Sequence, residues 1–168
     1  THHAGRWSAL TEARFTVGLQ GLVINEFMAS NHITLEDPDE ADEFPDWIKI
    51  YNGTPGTINL EGMHLTDDFQ DLVKSQIAAG VTIDPGQYLI FYADDDGTQG
   101  VYHTSYKLSI SGETIALVDS DGKTVIDSIL FDEQFEDVSY GRFPDGGDSW
   151  SYQQNPTPGS TNQVDIGQ

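Results

Sequence analysis

The chain has 168 residues, enough for one domain with a substantial core, and 37% hydrophobic and 11% aromatic residues argue against disorder. Twenty-eight acids against seven bases give a net charge of −21, which opposes nucleic acid phosphates and anionic membrane surfaces, since both are bound through Lys and Arg. With no cysteine there is no disulfide, thiolate metal centre or Cys nucleophile, and no apolar run approaches the roughly 20 residues of a membrane helix.

No secretory signal is visible, and the opening Thr1-His2-His3-Ala4-Gly5 reads as a trimmed tag or a cut from a longer protein. Residues 1–21 read as an N-terminal extension or linker, with Phe15, Val17 and Leu19 alternating as in an extra strand. Leu22 to Ser30 is a mostly apolar strand carrying Asn25 and Glu26. An acidic loop follows, long for a compact domain. Seven of the eleven residues from Glu36 to Asp46 are acidic and none is basic. Asp46 to Asn52 alternates, Trp47, Lys49 and Tyr51 against Ile48 and Ile50, as a half-buried strand does.

Short strands are predicted at Ile58–Leu60 and Met63–Thr66, and a polar loop or edge at Asp67–Lys74. Asp84-Pro85-Gly86-Gln87 is a turn leading into Tyr88–Ala93, whose continuous apolarity suits a central strand. Tyr106–Ile110 reads as another strand. Glu113–Asp119 and Thr124–Phe131 form a hairpin across Asp121-Gly122. Val138–Phe143 is a further strand, and from Pro144 onward the chain is rich in turns. Short strands at this spacing, almost without helical periodicity, predict an all-β sandwich or barrel. The expected core is Ile24, Ile48, Ile50, Leu60, Leu65, Leu89, Ile115, Leu117 and Ile129.

Five pieces, in order, resemble the lamin tail domain in its bacterial form over residues 22–162: Val23-Ile24-Asn25-Glu26 with Met28-Ala29-Ser30-Asn31; Asp46-Trp47-Ile48-Lys49-Ile50-Tyr51-Asn52; Asn59-Leu60-Glu61-Gly62-Met63-His64-Leu65-Thr66-Asp67-Asp68; Asp84-Pro85-Gly86-Gln87-Tyr88-Leu89; and Gly141-Arg142-Phe143-Pro144-Asp145-Gly146 with Trp150 and Thr157-Pro158-Gly159-Ser160-Thr161-Asn162. The chain departs from the pattern at Lys49, where the family usually has Glu, and at Met63-His64, where it usually has Trp. The resemblance implies an immunoglobulin-like β-sandwich over 22–162, a C-terminal linker at 163–168, and a non-catalytic module. It further implies a bacterial protein, secreted or at the cell surface, in which this module is part of a larger multidomain chain. Nuclear relatives bind chromatin and membrane partners, a role that does not suit a charge of −21.

The acidic loop is either a solvated connection or a calcium site, since calcium takes six to eight oxygen ligands. The resemblance matches Asp39, Glu43 and Asp46 to acids of a D-x-D-G-D-like run in bacterial relatives, with Ala41 in place of an acid and Asp42 in place of the Gly. Asp37 and the Asn31 side-chain carbonyl are additional oxygen donors. Asp94-Asp95-Asp96-Gly97 and Asp119-Ser120-Asp121-Gly122 lack the distal Glu of a calcium-binding hand and read as turns.

No constellation supports an enzyme. No carboxylate pair stands out, no serine lies in a G-x-S-x-G elbow, and the five histidines lack zinc-site spacing. Trp47 and Trp150 read as core anchors or, with the tyrosines, as a sugar-stacking platform. Two function classes follow: an interaction or spacer module binding other proteins, and a carbohydrate-binding module for surface glycans. Arg142, one of seven basic residues, is expected to be structural and to pair with an acid such as Glu26.

Overall fold

A computed structural model describes residues 21–163. They form eleven strands and no helix: β1 Leu22–Met28, β2 Asp46–Asn52, β3 Ile58–Asn59, β4 His64–Thr66, β5 Ser75–Gln76, β6 Thr82–Ile83, β7 Tyr88–Ala93, β8 Glu113–Val118, β9 Val125–Phe131, β10 Ser139–Arg142 and β11 Trp150–Gln153. A five-stranded antiparallel sheet, β11-β10-β1-β2-β7, packs on a four-stranded sheet, β5-β4-β8-β9, with β3 and β6 paired alongside. This is the expected immunoglobulin-like sandwich. Residues 1–20 of the N-terminal extension and most of the C-terminal linker lie outside the described residues.

Ile24, Ile48, Ile50, Leu60, Leu65, Ile115 and Leu117 are buried between the sheets, together with Phe27, Phe91 and Phe131; Leu89 and Ile129 are partly buried against them. Three local expectations change. Tyr106–Ile110 is not a strand, for it makes only a single bridge, Lys107 to Asp94. Residues 102–106 instead cover the edge of β7, where Tyr92 N donates to Tyr102 O, Thr104 N to Tyr92 O and Asp95 N to Tyr106 O, while Tyr106 and Leu108 turn into the core. β11 forms inside the turn-rich tail, too short to show alternation. Finally, β2 is not half-buried: Trp47 and Lys49 are both 0% exposed.

Lys49 survives burial because its charge is matched. Its ammonium lies 2.5 Å from Glu26 Oε2, also fully buried, and donates to Thr157 O at 2.6 Å, Ser160 O at 2.8 Å and Asn162 Oδ1 at 2.6 Å. Burial lowers the Lys49 pKa and the Glu26 carboxylate opposes that shift. Glu26 in turn accepts from Ser139 Oγ, Thr157 N and Thr157 Oγ1. The 157–162 segment is thus fastened across the outer face of the larger sheet.

Arg142 is structural, but its partner is Asp127 on β9, at 2.9 and 3.0 Å, rather than Glu26. A bulge explains the exchange. Ile24 faces Ile50 and Glu26 faces Lys49, so Asn25 is the extra residue. Beside the bulge, the Ile24 N–H donates to Asp127 Oδ2 and the Ile24 carbonyl accepts from Arg142 Nε. Glu26, on the other side of the kink, points outward to Lys49.

Lys49→Met should therefore leave the Glu26 carboxylate buried and unpaired, at a cost of about 3–5 kcal/mol, and Glu26→Gln added to it should recover part of the loss. Urea unfolding measures both. A loss below about 1 kcal/mol for Lys49→Met would mean that the pair carries little of the stability.

Candidate cation-binding groove

The loop between β1 and β2 is built by two side chains acting on backbone. Asn31 Nδ2 donates to the carbonyls of Leu35 at 2.6 Å and Pro45 at 2.8 Å, and its Oδ1 accepts from the amides of Thr34 and Leu35. Asp137, preceding β10, accepts from the amides of His32 and Ile33. The loop then turns at Asp42, whose φ of 66° is left-handed, a conformation Asp adopts more readily than most residues. Asp42 thus makes this left-handed turn without a Gly. Asp37 N closes it on Glu43 O at 2.8 Å.

The folded loop meets the end of β7 and the 96–107 segment around a groove of about 360 Å³, lined by Asp37, Glu40, Glu43, Asp46, Asp94 and Asp96, with Lys107 as the one cation in the lining. Of the ligands expected from sequence, Asp37, Glu43 and Asp46 are brought together here. Asn31 and Asp39 are not in the lining: the Asn31 carbonyl oxygen is turned to the loop amides, and Asp39 Oδ2 lies 3.2 Å from His103 Nε2.

Asp46 and His103, in this region, are electrostatically perturbed. Burial pushes the Asp46 carboxyl up to about 6, against hydrogen bonds from the Asn31 and Leu108 amides that pull it down. His103 is buried, its ring stacked on Tyr92 with centroids 5.3 Å apart. Its Nδ1 lies 2.5 Å from Asp94 Oδ2 and 3.9 Å from Asp37 Oδ2. Burial alone would lower the His103 pKa, but the hydrogen bonds to Asp94 and Asp39 outweigh it and the net shift is upward. Sequence reasoning missed His103 as a site residue. Its only local signal is Asp94, nine positions away; Asp37 and Asp39 come from a different loop.

The remaining turn acids carry local work. Asp121 accepts from the Lys123 and Thr124 amides, and Asp96 from Thr98. The aromatics divide similarly. Trp47 is buried, and Trp150 stacks on Tyr140 with Arg142 over its ring. Phe135 and Tyr152 are exposed, with ring planes at 67°, so this pair presents an edge rather than a flat platform.

The family model for the lamin tail domain matches residues 19–132, more than half of the chain. The chain belongs to the lamin tail domain family. No curated protein and no solved structure gives a match. The matched span takes in β1 to β9 and the whole acidic loop; β10 and β11, which complete the larger sheet of this lamin tail domain, and the 157–162 segment lie beyond it.

The raised Asp46 pKa fixes the sign of a pH effect. The folded state holds the proton more tightly than the unfolded chain, so this contribution to stability is full below about pH 4 and is lost as pH rises through about 6. In chelator at pH 7, Asp46→Asn should thus stabilise the domain by about 1–2 kcal/mol, since the amide still accepts from the Asn31 and Leu108 N–H groups. The difference should vanish near pH 4. Chemical unfolding at the two pH values measures it; a destabilised variant at pH 7 would show that the ionised carboxylate is held favourably.

Proposed function

We propose that this lamin tail domain is a non-catalytic interaction or spacer module of a secreted or surface bacterial protein, one unit of a larger multidomain chain, and that calcium binds in its acidic groove. The observation that carries the calcium reading is the lining itself. Six carboxylates from the β1–β2 loop, the start of β2 and the residues after β7 face one lysine. A hard divalent ion relieves that repulsion and takes oxygen ligands of this kind. In this reading Asp37, Glu43 and Asp46 supply first-choice ligands, with Asp94 and Asp96 across the groove. Partners are other proteins, bound at a surface whose loop is stiffened by the ion. The glycan reading would draw on Phe135 and Tyr152, whose edge-to-face arrangement gives a sugar ring little flat surface on which to stack.

A ligand that binds only the folded state stabilises it, by about 2.7 kcal/mol at one hundred times Kd. The domain should melt at a higher temperature in millimolar calcium than in chelator, by more than magnesium or matched ionic strength produces, and Asp46→Asn should erase most of the gain. Identical melting in calcium and chelator would make the groove a solvated acidic surface, and the module a spacer or protein-binding unit without the ion.

A further inference from the structure

We infer that Asp37, Asp94 and His103 form a distinct site for a borderline divalent transition ion such as zinc, set in the wall of the groove. The three residues come from separate segments: the β1–β2 loop, the residue after β7, and the strap that covers the β7 edge. One donor atom from each lies within 4.8 Å of the others. Their side chains are almost closed to solvent, at 3% for Asp37, 12% for Asp94 and 0% for His103.

Three features separate this set from a plain acidic cluster. The first is the nitrogen donor. His103 Nδ1 faces both Asp94 and Asp37, and imidazole nitrogen suits zinc or cobalt, whereas calcium prefers oxygen throughout. The second is support from outside. His103 Nε2 faces Asp39 Oδ2 at 3.2 Å, and Gln99 Nε2 donates to Asp37 Oδ2 at 3.2 Å. A carboxylate on the far nitrogen is what fixes the ring of a metal-ligating histidine and leaves the near nitrogen bare. The third is charge. The carboxylates of Asp37, buried, of Asp94, nearly so, and of Asp39 surround one imidazole, so even its protonated form leaves the nest negative; a divalent ion balances Asp37 and Asp94 with the ring neutral. Asp37 and Asp94 also line the groove, so a fourth position opens to water there, as in three-ligand zinc sites.

The site shares Asp37 and Asp94 with the calcium reading but depends on His103, which calcium does not use, so the two stand or fall separately. The test is titration with zinc chloride by calorimetry, in a chain carrying His2→Ala and His3→Ala so that these neighbouring histidines take up none. Zinc should bind at one equivalent. Cobalt at the same stoichiometry should give the strong visible bands of a tetrahedral complex. His103→Gln should abolish both while sparing any melting gain from calcium. Asp39→Asn, which leaves all three ligands in place, should weaken zinc by about 10–100-fold. Absence of one-equivalent binding, unchanged affinity in His103→Gln, or a pale octahedral cobalt spectrum would overturn the assignment. Should His103→Gln not fold, the cobalt spectrum of the parent and the affinity of Asp39→Asn decide it: a pale spectrum or an unchanged Kd refutes the site.

Discussion

The structure depends on a buried ion pair, Glu26 with Lys49. Either charge alone at zero exposure would be very costly, so the surroundings must satisfy both. Ser139, Thr157 and Asn162 do so from positions far along the chain. The tail is therefore held by polar groups rather than by an apolar face. Asn162 goes further, donating from Nδ2 to Asn25 O and Arg142 O. Gly141 is where that packing leaves no room: a Cβ there would lie 2.7 Å from Asn162 Nδ2 and 2.4 Å from Gln153 Nε2.

The bulge at Asn25 divides the charges of this region into two systems. Outward, Glu26 meets Lys49 and the tail. Inward, Asp127 accepts from the Ile24 N–H and Arg142 donates to the Ile24 carbonyl, and Asp127 on β9 so joins the two sheets. Asn25 itself reaches Asp145, which also accepts from Tyr88 and from the Asn162 amide. With β1, β2 and β7 held in this way, the acidic loop between β1 and β2 and the residues after β7 start from firm ends. A groove made of two loops then has a defined shape despite its like charges.

The frame was legible in the sequence where a local pattern carried it. Alternation located β2, continuous apolarity located β7, and Asp121-Gly122 marked the β8–β9 hairpin. What depends on distant partners was not legible. Lys49 alternates with Ile48 and Ile50 and reads as solvent-facing; only Glu26 and a segment more than a hundred residues away turn it into a core residue. Tyr106–Ile110 has the composition of a strand, yet β7 needed an edge cover, and the core needed Tyr106 and Leu108. The acidic loop announced Asp37, Glu43 and Asp46 by density of charge. His103 gave no such sign, because its carboxylate neighbours converge only in the fold.

The claim that a buried charge pair fastens the tail is tested most directly by native-state hydrogen exchange at Thr157 and Asn162. Both lie outside every strand, and their amides donate to Glu26 Oε1 and Asp145 Oδ1. If the pair holds the segment as described, these two amides exchange only with global unfolding, as slowly as those of β1 and β2. Exchange at the rate of an exposed loop, with β1 and β2 still protected, would show that the tail opens independently and that Glu26 and Lys49 do not depend on it.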